Sequence, residues 1–337
     1  MKLKKRIVEI AIAAICCVNI FAIINISLIA KAESNEVYMQ YGDYLYYTQV
    51  DENKDGTSDY AIIKYCDESA VEIVIPNEID GSPVKEIEYS AFSNCINLKS
   101  IEIPDSVTSI GDYAFCYCTS LASIEIPDSV IKIGESAFLD TALLENQTGI
   151  KYADTWVVEF DCVAWVAEYG RTAPVEIKKG TRGIADRAFD FALNLEIIDI
   201  PDSVVSIGRT AFSRCFILES ITIRNPDCII YDDGDTIFNY EDPENSYYYN
   251  GVIYGYENST AQKYADKYGR KFALIGKTGD ADGNGKTDII DAAFIAKRVA
   301  QRKVNLLPEW VDYNNDGKVN IADAAAIARD VARRILR

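Results

Sequence analysis

The sequence predicts a mainly β solenoid with a 23-residue period, followed by a small all-α unit made of two loop-helix motifs. Three observations lead there. Ala-Phe recurs at 91–92, 114–115 and 137–138, then at 188–189 and 211–212, a step of 23 within each block. The residues around it recur as well: NLKSIEIPDSVTSIGDYAFCYC (97–118), SLASIEIPDSVIKIGESAFLDT (120–141) and NLEIIDIPDSVVSIGRTAFSRC (194–215). Finally, a twelve-residue pattern of Asp, Asn and Gly occurs twice near the C-terminal end, DADGNGKTDIID at 280–291 and DYNNDGKVNIAD at 312–323.

The N-terminal stretch reads as a secretion signal. MKLKKR gives a basic start, IVEIAIAAICCVNIFAIINISLIA an apolar run, and Ala30-Lys31-Ala32 a small-residue cleavage site followed at once by polar ESNE. Residues 1–32 are therefore expected to leave, with an uncleaved membrane anchor as the alternative and no stable membrane span once the signal is cut. Ile15 before Cys16 is too large for lipoprotein processing.

The 337 residues carry 34 Lys and Arg against 52 Asp and Glu, a formal charge of −18, and no histidine. Such a surface argues against nucleic acid and anionic membranes as partners. The missing histidine removes Ser-His-Asp and Cys-His nucleophile arrangements and the usual His-based zinc sites.

Residues 33–70 read as an N-terminal β cap. VYMQYGDYLYYTQV (37–50) and DYAIIKY (59–65) alternate like strands across a turn-rich stretch, the form of a β-hairpin. The turn, DENKDGTSD (51–59), mimics a cation loop through Asp51, Asn53, Asp55 and Asp59. Its twelfth position is Ile62, so the closing carboxylate is absent, and it reads as an Asp-Gly hairpin turn rather than a third calcium site.

The repeats occupy 71–225. Leu98, Ile101 and Ile103 form an L-x-x-I-x-I segment that returns at Leu121, Ile124, Ile126, at Leu195, Ile198, Ile200 and at Leu218, Ile221, Ile223, with Glu102, Glu125 and Asp199 facing water between. Pro104, Pro127 and Pro201 end the strand, because proline cannot donate to a ladder. Val107 and Ile110 dip back into the core, Gly111 allows the next bend, and Phe115 fills the centre from a short helical or irregular turn. Three residues after each Phe stands Cys95, Cys118, Thr141, Ala192 or Cys215. A slot that accepts thiol, hydroxyl and methyl alike is a small packing position, so the seven cysteines beyond the signal read as buried thiols rather than disulfides.

This motif, IxIPDSVxxIGxxAFxxC, resembles the BspA-type leucine-rich repeats of bacterial surface and secreted proteins. Five extra residues lie between Pro76 and Phe92, and Phe138 to Phe189 spans 51 residues rather than 46, with GIKYADTWVVEFDCVAWVAEYG interrupting. There Lys178 takes the proline slot and Ala185 the glycine slot. Residues 226–276 read as the C-terminal cap, with helical apolar spacing through Ala261, Tyr264, Ala265 and Tyr268. The tyrosines clustered at Tyr38–Tyr47 and Tyr247–Tyr256 suit cap strands, or else a platform for sugars.

In residues 277–337 the twin pattern has the form of calcium loops, which deliver six to eight hard oxygens from alternating positions. In the first loop the donors are Asp280, Asp282, Asn284, the Lys286 carbonyl, Asp288 directly or through water, and Asp291, with Gly285 at the sharp turn. In the second they are Asp312, Asn314, Asp316, the Lys318 carbonyl, Asn320 and Asp323, with Gly317 at the turn. Each loop leads into a short alanine-rich helix, DAAFIAKRVA (291–300) and DAAAIARDVA (323–332), while LIGKTG before the first is too short and glycine-bearing for an entering helix.

Loop-helix twice, joined by QRKVNLLPEWV, is similar to a type I dockerin. The resemblance implies two structural Ca2+ ions and docking onto a cohesin module of a scaffoldin, hence a secreted, cell-surface cellulosome component linked to polysaccharide catabolism. It places partner contacts at Ile289, Ile290, Ala296 and Lys297 and, in the other copy, at Ile321, Ala322, Ala328, Arg329 and Arg333. Many dockerins carry Ser-Thr where this chain has Ile-Ile and Ile-Ala; the other reading of these isoleucines is local core. The whole reads as non-catalytic, the repeats offering a surface to a protein or carbohydrate ligand. The alternatives are a dockerin-bearing hydrolase of plant cell-wall polysaccharide, or a surface adhesin or inhibitor anchored by the dockerin. No stretch remains that is large enough for a separate catalytic domain.

Overall fold

A parallel ladder begins at the N-terminal hairpin. In the computed structural model, which describes residues 39–54, 56–170, 175–241, 247–275, 279, 281, 286–301, 307, 311–314 and 316–335, Gln40–Arg337 is one compact unit. Strand Leu45–Val50 runs antiparallel to Tyr60–Cys66, with Leu45 opposite Cys66 and Val50 opposite Tyr60. Period-two alternation buries Leu45, Tyr47, Ala61 and Ile63 on one face. The turn between them is the hairpin expected: the Asp51 carboxylate accepts the Gly56 N–H at 2.8 Å and Asp59 accepts those of Glu52 and Asn53 at 2.8 and 3.3 Å, while Asp55 lies outside the described residues. Tyr60–Cys66 then pairs in parallel with Ser82–Ile87, which pairs with Ser109–Ile110, which pairs with Lys132–Ile133.

Each full rung thus carries two strand segments, one more than its sequence suggested. The x-Ser-Ile dipeptides that looked like mere returns to the core build this longer ladder, and after the insertion Gly183–Ile184, Ser206–Ile207 and Ile229–Ile230 build a separate sheet in the same way. The I-x-I segments build a second ladder on the other side. Glu72–Val74 pairs with Ser100–Glu102, and Ile197–Ile200, Ser220–Ile223, Val252–Gly255 and Lys271–Leu274 follow in register. One expected strand is missing: 121–126 has no ladder partner, although Ile124 and Ile126 are buried. Its next neighbour is displaced by the inserted segment, and the Ile126 N–H is met by the Asp154 carboxylate at 3.0 Å instead.

The insertion ends one ladder and starts the next. Ile150–Ala153 and Trp156–Phe160 form an antiparallel hairpin whose second strand pairs in parallel with Gly183–Ile184. The hairpin also supplies the ring that the longer spacing omits. Phe92, Phe115 and Phe138 stack at centroid separations of 5.1 and 5.3 Å with interplanar angles of 13° and 9°, and Phe189 on Phe212 at 5.1 Å and 10°. Phe160 stands 5.3 Å from Phe189, tilted by 40°. Asp161 then caps the insert helix Cys162–Tyr169 by accepting the N–H groups of Val163 and Ala164.

Between the ladders the Ala-Phe segment is an irregular turn with a fixed backbone signature. Ser90, Tyr113, Ser136, Arg187 and Thr210 have φ between 51° and 59°, and Asn94, Tyr117, Asp140, Phe191 and Arg214 between 54° and 64°. Non-glycine residues in this region cost about 1–2 kcal/mol each. Cross-rung bonds hold them there, such as Phe92 N–H to Ala114 O at 2.7 Å and Phe115 N–H to Ala137 O at 2.7 Å. The glycine slot has a different cause, close approach. A Cβ on Gly134 would lie 2.3 Å from the Asp112 nitrogen and one on Gly208 2.5 Å from that of Asp186. In this slot Ala185 follows the hairpin, and its N–H bonds the Val157 carbonyl as the slot glycines bond the rungs before them.

The small slot packs as its residue types implied. Cys95, Cys118, Cys215, Thr141 and Ala192 are buried, and Cys118 and Cys215 donate to the carbonyls of Phe92 and Phe189. All seven cysteines beyond the expected signal are free. Burial pushes the Cys116 thiol up to about 11 and that of Cys228 up to about 12.

The C-terminal cap is helical where its spacing predicted. Only Thr260–Lys267 is helix, with Ser259 as its cap and Ala261, Tyr264 and Ala265 buried; the flanking Val252–Gly255 and Lys271–Leu274 join the second ladder. The strands take the apolar residues that the helix cannot turn inward. No helix among the described residues is long and apolar enough to cross a membrane, and the expected signal lies outside them.

Truncation of the central ring, Phe115→Ala, is expected to cost about 3–5 kcal/mol, measured as a loss of stability in denaturant unfolding. In the native protein an alkylating reagent at neutral pH is expected to label Cys162, the half-buried thiol, ahead of the six buried ones, as peptide mapping of the labelled chain would read out.

Candidate functional site

The two loop-helix copies fold by the same local device. In the first, Asp288 accepts the Ile290 N–H at 2.7 Å while Asp291 reaches back to accept the Asp288 N–H at 2.7 Å, a reciprocal cap. In the second, Asn320 accepts the Ala322 N–H at 2.8 Å and Asp323 the Asn320 N–H at 2.8 Å. These caps start the helices two residues earlier than the apolar pattern suggested, at Ile289–Ala300 and Ile321–Ile335. Between the helices lies a small core of Ala281, Ala292, Ile295, Val311, Ala324 and Ile327, flanked by Phe294, Leu307, Tyr313 and Val319.

The closing aspartates are the most buried polar groups here, Asp291 and Asp323 each at 0 % exposure. Asp291 spans its loop, taking the Ala281 N–H at 2.7 Å on its other oxygen. Asp323 likewise takes the Asn314 N–H at 3.1 Å. Asp280, Asp282 and Asn284 lie outside the described residues, whereas every proposed donor of the second loop lies within them. Its Asp312 accepts the N–H groups of Asp316 and Gly317 at 3.1 and 2.7 Å, Asn314 that of Asp316 at 2.9 Å, and Asp316 that of Lys318 at 3.0 Å. Gly317 has φ 81°, the left-handed turn that the pattern reserved for glycine.

A twelve-residue loop curled in this way presents only carboxylate, amide and carbonyl oxygens, the donor set of a hard divalent cation. Among the described residues no group of three or more His, Cys, Asp or Glu converges to hold a metal. The second loop carries three carboxylates, all turned to backbone N–H groups, and its other donors are two amides and a carbonyl. An oxygen that accepts one N–H keeps a lone pair for a cation, so the residue types fit such an ion.

The residues read as partner contacts fall into two similar sets on the helices. Ile289, Ile290 and Ile321 are 54 %, 56 % and 54 % exposed, outside the local core that was their other reading. Lys297, Arg329 and Arg333 are exposed, and Arg333 pairs with Asp330 at 3.3 Å. Ala296 and Ala328 are half-buried and pack against the core; Ala322 is half-buried. Sequence reasoning missed Tyr313, whose hydroxyl donates to Asp330 at 2.9 Å, and Arg334, which reaches the Thr287 carbonyl at 3.4 Å. Neither has a spacing that marks it, since Tyr313 reaches Asp330 from loop to helix within the second copy and Arg334 reaches across to the first.

The solenoid offers two further surfaces. An acidic groove runs between 100–105 and 123–128, with Glu102, Asp105, Glu125, Asp128 and Asp154 on its walls. A second groove beside the insert helix has Tyr117, Asp140, Gln147 and Lys151 among its lining. The tyrosine clusters divide: Tyr47, Tyr249 and Tyr254 are buried, whereas Tyr41, Tyr44, Tyr248 and Tyr256 are exposed.

Comparison with known proteins bears on both parts of the chain. The BspA type leucine rich repeat region matches in six copies over residues 64–152 and 169–249, and the dockerin type I domain matches over 278–332. A comparison with curated proteins gives no match. Similar solved structures include a leucine-rich repeat protein of T. pallidum, at 21% identity, covering 69% of this chain and 97% of that one, with a TM-score of 0.34. One from Bacteroides ovatus shows 22% identity, covers 66% of each chain and has a TM-score of 0.33. One from Bacteroides capillosus shows 31% identity over 31% of this chain and 75% of that one, with a TM-score of 0.27.

Removal of the closing carboxylate, Asp323→Ala, is expected to orphan the N–H groups of Asn314 and Asn320 and to cost the tail about 1–3 kcal/mol. Amide hydrogen exchange at those two positions, faster in the variant, checks it.

Proposed function

We propose that this chain, which belongs to the BspA type leucine-rich repeat family and ends in a dockerin type I domain, is a secreted, non-catalytic component of a cellulosome-like assembly. Its tail binds a scaffoldin cohesin in a calcium-dependent way, and its repeats present an interaction surface to a protein or polysaccharide. The observation that carries the reading is the paired loop-helix unit. Two near-identical twelve-residue loops, each closed by a buried aspartate, hold two helices whose exposed faces bear isoleucines and basic residues.

One ion would be held by Asp280, Asp282, Asn284, the Lys286 carbonyl, Asp288 and Asp291. A second would be held by Asp312, Asn314, Asp316, the Lys318 carbonyl, Asn320 and Asp323. Calcium supplies charge and coordination that draw carboxylates together; its role is structural, because a unit with so small a core gains much of its order from the metal. The chain's own contribution is the reciprocal cap, which aims Asp291 and Asp323 into their loops.

Exposed apolar side chains on a small unit favour a protein partner. Ile289, Ile290, Ala296 and Lys297, with Ile321, Ala322, Ala328, Arg329 and Arg333, form the faces proposed for it. Secretion and a place in polysaccharide catabolism follow from the same reading.

The purified full-length chain is expected to be retained on immobilised cohesin only with calcium and to be released by chelator. The double variant Asp280→Ala/Asp312→Ala is expected to lose both retention and the heat of calcium binding in titration calorimetry. Unchanged retention in that variant would contradict the assignment. Robust hydrolysis of plant polysaccharide mapping to residues 33–276 would make the chain an enzyme instead.

A further inference from the structure

The two tail helices differ in a way that the solenoid explains. Aligned from Ile289 and Ile321, they are identical or conservatively matched, Lys297 with Arg329, except at three places. Ile290 faces Ala322 in the alignment, Phe294 faces Ala326, and Arg298 faces Asp330. The three positions are four apart, so they form one stripe along a helix. On the first helix that stripe lines a groove closed on its other side by Glu219, Gly251, Val252 and Lys271, from the last rungs of the solenoid.

The contacts across this junction are specific. The Arg298 side chain is 3 % exposed, its guanidinium lies 5.1 Å from the centre of the Phe294 ring, and it pairs with the Glu219 carboxylate. The buried Tyr254 hydroxyl, on strand Val252–Gly255, donates to the Ala281 carbonyl of the first loop at 3.1 Å. In the second copy the matching Asp330 is turned to its own neighbours, Tyr313 and Arg333. A buried guanidinium demands a carboxylate, and the solenoid supplies one where the second helix would bring a like charge.

We propose that the two loop-helix copies have diverged in role. The first is the seat that fixes the tail to the C-terminal rungs of the solenoid through Phe294 and Arg298, with the exposed Ile290 at the rim of the groove, so that its outward face is the narrower of the two. The second lacks the stripe and is left for an outside partner. The last clause rests on the cohesin-binding reading; the seat does not. A tail held in this way presents its partner at a set angle to the repeat surface, instead of swinging on residues 275–279.

Limited trypsinolysis of the full-length chain at Lys277, together with small-angle scattering, tests the seat. Arg298→Glu and Glu219→Arg are each expected to speed cleavage about tenfold and to enlarge the particle. The exchanged pair, Arg298→Glu with Glu219→Arg, is expected to return both readings to wild type, while Asp330→Ala leaves them unchanged. Far-ultraviolet circular dichroism checks that each variant is folded. Cleavage of the wild type as fast as Arg298→Glu, or no rescue in the exchanged pair, would overturn the seat. Calcium binding belongs to neither residue, so its failure in the wild type would strike the cohesin-binding reading and leave this one standing.

Discussion

No rung of this solenoid can bury its own apolar face, and the structure follows from that constraint. A phenylalanine at the centre of a 23-residue turn finds its hydrophobic partner one rung away, at 5.1 or 5.3 Å, rather than elsewhere in its own turn. The paired backbone ladders, the small residue after each ring and the glycine that lets the next rung approach all serve this stacking distance. So do the left-handed residues at Tyr113 and Tyr117. Their strained backbone is held by hydrogen bonds to the neighbouring rung, so the stack and the turns stabilise each other.

The same constraint accounts for the inserted hairpin. An interruption that left Phe189 uncovered would split the core into two. Phe160 prevents this by standing against Phe189, and Trp156 fills the space over Gly183, where an added Cβ would come within 2.4 Å of the indole. The cost appears on the opposite side, where 121–126 loses its strand partner and Asp154 takes over one backbone bond. The insertion therefore divides the backbone ladders into an N-terminal and a C-terminal set, and Phe160 starts the second ring stack over Phe189.

Much of this was legible in the letters. The period, the ring position, the small slot and the N-terminal hairpin were all readable, because each is a local pattern repeated many times. The longer ladder was not. Ser109-Ile110 is too short for alternation to register, and its partners stand 23 residues away in each direction. The cap helix was readable from Ala261 to Tyr268, whereas the flanking strands Val252–Gly255 and Lys271–Leu274 were not, because they pair with distant segments. In the tail, the turn glycine of the second loop could be read directly. The helix starts could not, since Asp288 and Asn320 look like loop donors until their caps are seen. Arg298 was unreadable as a contact, because its partner Glu219 lies 79 residues earlier in the chain.

The free thiols have a consequence for how the molecule comes into being. With Cys95, Cys118 and Cys215 each folded against a carbonyl or the ring stack, no native crosslink has to be found among the many pairings that seven sulfurs allow. The solenoid can lose and regain its shape without an oxidant or a disulfide isomerase, rung adding to rung. Reducing and oxidising surroundings then find the same architecture, held by ring stacking and backbone ladders without a crosslink.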